Sequence, residues 1–505
     1  MSAAEPSSVA AGDAPAQRVA SDAAPATLDA VRSSARLPLF RKIAYGAGQI
    51  VELIVSSMLN SFALFYVTAV CGLPGGLAGL ALGAGLVIDA FMDPFIGSLS
   101  DGWRSRLGRR VPFMVAGLLP LVVAFNLMFS LPSSLQPPLL FGWLLILSVC
   151  LRASLSVFTL PFQALGADLS DDYAERSAIA AWRWGIGILG TLAVIGLGYG
   201  VFLKGPEGLS RAGAYLPLTL SLSVLIVAGA LLAIRVGAAV RSVKSDEPGP
   251  TDAIHRRLFG EMAEMFRNRT FRTLFASKLL LNVAQGLFLT LSLHMHVFFW
   301  RLSAGQIQQI TLPGVLGLAL AAPLAGPLAA RIEKRTMLLI GLVGMALCQS
   351  TPVLLKLFDL LPLTGAGLIA FLAAATFANA VTFALGAIAF IAIIPDAADE
   401  HEQLFGTRRQ GLYAAGWAFA TKAATGGGLL IAGLVLQLIH FPTQTAAPAA
   451  AAAGVPRQTA DLLAFIGGPG SAVLALLGIV FVLFYRIDRK GHAAIMADLA
   501  ARRGG

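Results

Sequence analysis

Charge and cysteine are both scarce in this chain. Only 13% of its 505 residues are Asp, Glu, Lys or Arg, against 57% apolar, where a soluble domain carries roughly 25% charge. That balance excludes a soluble globular protein and describes a polytopic membrane protein. Three cysteines, Cys71, Cys150 and Cys348, sit in or beside apolar stretches, odd in number and without metal-ligand spacing, so neither a disulfide nor a metal site follows. The net charge of +10 does not mark a nucleic-acid partner, because Lys and Arg fall in short clusters between apolar runs, as in cytoplasmic loops. Residues 1–38 are rich in Ala, Ser, Pro and Asp and lack a continuous apolar core; they predict a disordered cytoplasmic tail rather than a signal peptide.

What the chain has in quantity is apolar runs of bilayer-crossing length, about 20 residues each. Six are expected near 43–70, 77–98, 112–130, 139–163, 178–202 and 213–235, and six more near 271–299, 306–330, 337–357, 364–394, 410–440 and 463–485. They predict two six-helix bundles, 39–235 and 271–485, joined by a polar linker over 236–270 with a short amphipathic helix and followed by a tail over 486–505. Arg104, Arg106, Arg109 and Arg110 fall in one loop, Lys334 and Arg335 in another, Arg408 and Arg409 in a third. All three loops are even-numbered, so the positive-inside rule predicts a plasma-membrane protein with both termini in the cytoplasm.

The two bundles are related copies. Leu73, Pro94 and Gly97 recur 229 positions later as Leu302, Pro323 and Gly326, while Asp168 and Asp171 recur at an offset of 228 as Asp396 and Asp399. The all-α fold expected is therefore twelve transmembrane helices in two pseudo-repeats, the six-plus-six architecture of the major facilitator superfamily, with substrate between the halves near midplane.

Against this apolar background, Asp89 and Asp93 stand four apart in the second run and share one helical face. A charge at bilayer depth costs a few kcal/mol on insertion scales, which makes the pair a functional candidate; a structural tie to a neighbouring helix is the plainer alternative. Their repeat counterparts are Leu318 and Ala322, so the carboxylate site is one-sided. Helical spacing lines up further polar residues: Gln49, Glu52, Ser56 and Asn60; Arg152, Ser156, Thr159 and Gln163; Lys278, Asn282, Gln285, Ser292 and His296; Thr421, Lys422 and Thr425. Such stripes line an aqueous cavity or bond neighbouring helices. Arg152 needs an anion, with Glu52, Asp89 and Asp93 at similar depth. His294 and His296, two apart, point to different sides of a helix and are not a zinc pair. Arg183, between Trp182 and Trp184, is open to a gate or a site role. Asp101, Arg104, Arg106, Arg109, Arg110, Asp168, Asp171, Arg176, Asp396, Asp399 and Arg408 lie near helix ends, where pairs between moving halves hold one state closed.

With YGAG at 45–48, IDAFMDP at 88–94, SRLGRR at 105–110, the PFQAL to AAWR segment at 161–183 and Lys422, the chain from about Arg41 to Tyr485 resembles the glycoside-pentoside-hexuronide:cation symporters, the melibiose permease group. The resemblance implies a cation site at Asp89, Asp93 and Ser156, and substrate or coupling roles for Arg183 and Lys422. Two carboxylates that bind galactoside hydroxyls in melibiose permease are matched here by Leu53 and Thr159, and a sugar-stacking Trp by Gln163, so the family's sugar site does not carry over.

The leading expectation is a secondary transporter that couples a small organic solute, a sugar or glycoside, to Na⁺ or H⁺ by alternating access, working as a monomer in the lipid bilayer with no cofactor and no metal beyond Na⁺. Glu52, Arg152, Thr159, Gln163, Arg183, Asn282, Gln285, His296 and Lys422 are its expected substrate residues. A lysolipid or other amphipathic substrate is the alternative within transport. An intramembrane Mg-dependent prenyltransferase, suggested by DxxxD at 89–93 and DxxDE at 396–400, fails on placement, because one motif lies within a span and the other at a helix end with a repeat counterpart.

Overall fold

The computed structural model describes residues 37–103, 105–132, 135–170, 172–205, 207–239, 265–406, 410–442, 455–485, 487 and 489–504. Arg104, Asp171, Arg408, the tail before residue 37 and most of the expected linker lie outside the described residues. Among those residues the regular structure is entirely helical.

The first expected span is divided. Helix α1 (Leu39–Gly46) and helix α2 (Gln49–Met58) run into two π turns, Leu59–Ala63 and Tyr66–Val70. There follow α3 (Gly75–Gly102), α4 (Val111–Met128), α5 (Pro137–Asp168), α6 (Tyr173–Leu197) and α7 (Tyr215–Ala239). The second half contains α8 (Arg269–His294), α9 (Ala304–Arg331), α10 (Lys334–Leu357), α11 (Gly365–Phe405), α12 (Gln410–Leu438), α13 (Arg457–Phe465) and α14 (Ser471–Leu483). Ten helices among the described residues are long and apolar enough to cross a membrane. The interrupted first span and the thrice-prolined α9 are not among them.

Capping fixes several ends. Asp172 accepts from Glu175 N at the start of α6, Asn268 from Phe271 N at the start of α8, and Ser303 forms a capping box with Gln306 before α9; each satisfies amides that have no partner within the helix. Helix α11 stops where Gly406 takes φ 73°, a left-handed turn that glycine adopts without a Cβ penalty.

One expectation is corrected at the face that carries the basic loops, called here the terminal face. The tenth span does not end near 394. Helix α11 has 41 residues, about 60 Å at about 1.5 Å per residue, twice the hydrocarbon thickness. It carries Asp396 and Asp399 inward, buried at 5% and 7% exposure, where a helix end was expected. The tail beyond 486 contains α15 (Arg489–Gly504), which packs on α11 and buries Ile495 and Leu499. It is tied there by Gln403 donating to Asp498 at 2.9 Å and by Arg502 donating to the Gln403 carbonyl at 2.9 Å.

The repeat is visible in the coordinates. Tyr66–Val70 and Met295–Phe299 are both π turns, 229 positions apart. The packing of α3 and α4 on α5 is repeated by α9 and α10 on α11. The halves meet on the face opposite the termini. There Phe65 stacks on Phe298 with centroids 6.1 Å apart, and His294 Nε2 lies 3.0 Å from Thr68 Oγ1. Helices α3 and α12 cross along glycines: a Cβ on Gly433 would stand 2.6 Å from Gly79 Cα, and one on Gly83 2.9 Å from the Gly426 carbonyl.

Candidate functional site

That glycine crossing leads inward to the carboxylates. Helix α3 presents Asp89 and Asp93 one turn apart, α5 presents Ser156, and α12 brings Lys422 from the other half. Helix α5 comes this close to α3 because Gly85 has no side chain where Ser148 sits. Ser156 Oγ is 2.6 Å from Asp89 Oδ1 and 2.8 Å from Asp93 Oδ1. Lys422 Nζ donates to Asp89 Oδ2 at 2.7 Å and to Asp93 Oδ2 at 2.5 Å. One oxygen of each carboxyl thus lies within bonding distance of the serine, whose single proton serves one at a time, and the other accepts from the ammonium. Asp89 is the deeper, its side chain 7% exposed against 21% for Asp93 and 30% for Lys422. Pro94, inside α3, cannot donate to the carbonyl of Ala90, which leaves a backbone acceptor one turn from Asp93.

Arg152 lies one turn before Ser156 and is buried. Among the described residues it has no ion pair within 4.0 Å, its Nε has no hydrogen-bond partner, and the charge acting on it through space is that of Asp89. Glu52, the other expected partner, instead accepts from Gln49 Nε2 at 2.8 Å and Gln163 Nε2 at 3.2 Å. Two acids, a hydroxyl and the Lys422 ammonium therefore meet at one point, with Lys422 on one oxygen of each carboxyl.

The other expected residues divide by half. Thr159 is buried one turn beyond Ser156, while Glu52, Gln163 and Arg183 are accessible, Arg183 lying 6.0 Å from the Trp184 ring centre. In the second half Asn282 is buried with Nδ2 unpartnered, and Gln285 accepts from Gln349 Nε2 at 3.2 Å. His296 is on the wall of a cavity with Gln349 and Asn379. Lys278 is buried between Phe390 and Trp417, its Nζ 5.2 and 5.9 Å from the ring centres.

The expected gate residues pair within each half. Arg109 donates to Asp168 at 2.9 and 3.1 Å; Arg110 reaches Ser100 at 3.2 Å and also bonds Asp101. Lys334 meets Asp396 at 2.6 Å, and His492 meets Asp399 at 3.2 Å. Arg176 donates to the Ser170 carbonyl at 2.6 Å, and Arg106 is exposed. None of these pairs bridges the two halves, whose contacts lie toward the opposite face.

Sequence reasoning missed His294. Thr68 Oγ1, which also bonds the Leu64 carbonyl at 2.7 Å, lies within hydrogen-bond distance of His294 Nε2, joining the halves by a fully buried bond. It also missed Gln349 and Asn379; a lone amide within an apolar run was the available signal.

The chain matches the family described as MFS/sugar transport protein over residues 44–489. It is 33% identical over 165 residues to an uncharacterized symporter of Synechocystis sp., a match covering 32% of this chain and 30% of that protein. With the isoprimeverose transporter of Lactiplantibacillus pentosus it shares 22% identity over 495 residues, 96% of each chain. Matches to the first relatives thus span about a third of those proteins' length. The crystal structure of the nucleoside transporter NupG superposes with a TM-score of 0.60 at 15% identity, over 88% of this chain and 100% of that one, which shows the fold. On the match along nearly its whole helical length, the chain belongs to the MFS/sugar transport family, an all-helical membrane family of transporters.

Proposed function

We propose that the protein is a secondary symporter that couples an organic solute, a sugar or glycoside, to Na⁺ or H⁺ by alternating access, with both termini in the cytoplasm of the plasma membrane. The observation that carries this reading is the cluster of Asp89, Asp93 and Ser156 from one half with Lys422 from the other. A serine hydroxyl has a single proton to give, so it satisfies one carboxylate; the second calls for its own proton or for a cation between the oxygens. Hard cations prefer such oxygen sets. A cation entering must displace Lys422, and Lys422 is what ties α12 to α3 at this depth, so loading the site loosens the contact between halves. That link between occupancy and domain movement is what coupling requires.

The solute site proposed lies between the halves, with Glu52, Arg152, Thr159, Gln163 and Arg183 from the first half and Asn282 and Gln285 from the second. All of these come from one chain, which suits a functional monomer. The Synechocystis symporter and the isoprimeverose transporter support coupling and a glycosidic solute by similarity. Proteoliposome uptake of a sugar and glycoside panel under separately imposed Na⁺ and H⁺ gradients tests the reading. Accumulation of a glycoside driven by either gradient is expected. Counterflow blocked by lysolipids and untouched by sugars would replace the solute class, and accumulation indifferent to both gradients would end the coupling reading.

A further inference from the structure

A cavity of about 60 Å³ lies inside the second half, bounded by α8 and its π turn Met295–Phe299, α9, α10 and α11. It is several times the roughly 10–15 Å³ that one water needs. Most polar groups on its wall are already bonded: Ser292 donates to the Leu289 carbonyl at 2.7 Å, Thr376 to the Leu372 carbonyl at 2.9 Å, and Gln349 Oε1 accepts from Ser471 at 3.1 Å. Two are not. Asn379 is 9% exposed and its Oδ1 has no partner, and the His296 carbonyl accepts from Leu302 N at 3.0 Å while its ring makes no hydrogen bond to the described residues.

The chemistry of the vacant groups is specific. A neutral imidazole offers one donor and one acceptor, the Asn379 carbonyl adds an acceptor, and Phe288 and Trp300 supply aromatic walls. The lining contains no Asp, Glu, Lys or Arg. A cation would find no carboxylate and a phosphate no base, whereas a hydroxyl both donates and accepts, and the C–H face of a small ring or polyol suits an aromatic wall.

We infer that this cavity is a second solute site, contained in the second half and separate from the carboxylate cluster, that takes a neutral polyhydroxylated molecule. It does not rest on the coupling reading. Its occupancy bears on domain closure, because His296 shares the π turn with Phe298, which packs on Phe65 of the first half. A solute held against His296 therefore acts on the element that closes the opposite face.

Cys348 lines the cavity and reports on it. In full-length protein in nanodiscs, with Cys71→Ala and Cys150→Ser, the rate of methanethiosulfonate modification at Cys348 is measured with and without D-xylose, D-glucose or sorbitol. At about ten times its dissociation constant a bound sugar slows the reaction about tenfold by mass action; choline and acetate leave it unchanged. Protection is abolished by Asn379→Leu and by His296→Phe, two variants so that misfolding of one does not decide the matter. Protection persists in Asp93→Asn, which separates this site from the cation cluster and from failure of transport. No protection by any of the three polyols, equal protection by choline, survival of protection in both cavity variants, or its loss in Asp93→Asn would overturn the inference. So would an unreactive Cys348, since a solute could not reach it either.

Discussion

The two halves share a backbone plan and divide the chemistry. The first half holds both intramembrane acids of the central cluster; at the repeat positions the second half has Leu318 and Ala322. The second half returns a single ammonium, Lys422, across the α3–α12 crossing, and keeps an uncharged polar cavity of its own. Duplication supplies a pair of matching scaffolds, and function needs them to differ: a cation site built twice would bind within each half and have no reason to move one against the other. On the proposed reading, the acids on one side and the amine on the other make the contact between halves depend on what occupies the oxygens.

The comparison breaks most completely if the acids are removed. Asp89→Asn and Asp93→Asn are each expected to reduce gradient-driven accumulation to the passive level while preserving expression, because Asn keeps the volume and loses the charge a cation must meet. Adding the acid to the other half, as Leu318→Asp, is expected to restore nothing, since Lys422 and Ser156 are placed on the α3 positions. Uphill uptake by both Asn variants would sink the assignment.

Next in size is the amine. Lys422→Ala leaves two acids facing each other around Ser156. Removing one partner of a buried pair costs about 3–5 kcal/mol; Lys422 is 30% exposed, so solvent reduces this, and about 1–3 kcal/mol is the fair expectation. The sharper prediction is the double variant: Lys422→Ala with Asp93→Asn recovers thermal stability but not accumulation. If the second change lowers stability further, the Lys422 contacts are not what the carboxylates depend on.

How far this was legible in the sequence differs by level. Asp89 and Asp93 could be named because spacing within one helix fixes which residues share a face, whereas Ser156, on another helix, was joined to them by the family resemblance alone. The duplicated π turns confirm the 229 offset to the residue. Lys422 was singled out but not its position on the carboxylates, since that depends on Gly79, Gly83, Gly426 and Gly433 letting two helices from different halves touch, and no periodicity reports which helices cross. Arg152 illustrates the converse: a demand for an anion was clear from burial, yet the structure holds it near Asp89 without an ion pair. The end of α11 was misplaced because an acidic run looks like a helix end; the helix continues with Asp396 paired to Lys334 and Asp399 in contact with His492.

The crossing itself is testable. Gly433→Val puts a side chain where Gly79 Cα and the Gly75 carbonyl already stand. Overpacking of this kind costs about 1–3 kcal/mol, here concentrated in the arrangement closed on the opposite face. The expected result is a modest fall in melting temperature with a shift toward the state open on that face, read by distance measurements between spin labels on residues 72 and 442. An unchanged distance distribution would show that the crossing tolerates the wedge and does not control closure.

The smallest expected effect compares the matched ion pairs at the terminal face. Asp168 and Asp396 are repeat counterparts, each held by a base from the loop after the second or eighth span: Arg109 for Asp168 and Lys334 for Asp396. Their surroundings differ. Asp168 and Arg109 are 25% and 28% exposed, whereas Asp396 is 7% exposed, accepts two contacts from Lys334 and lies 3.6 Å from His492 of α15. Exposed pairs contribute about 0–1 kcal/mol, while hydrogen bonds to a buried charge contribute about 1.5–3 kcal/mol. Arg109→Ala should therefore leave thermal stability almost unchanged, and Lys334→Ala should lower it measurably, with His492 limiting the loss by standing beside the stranded acid. Because neither pair joins the two halves in this state, neither variant should alter solute affinity; if Arg109 has a gating role in the opposite state, it appears as a changed turnover rate alone. Equal destabilisation by the two variants would mean that burial does not distinguish the halves here, and a solute-affinity loss in Arg109→Ala would move that residue from the helix ends into the solute site.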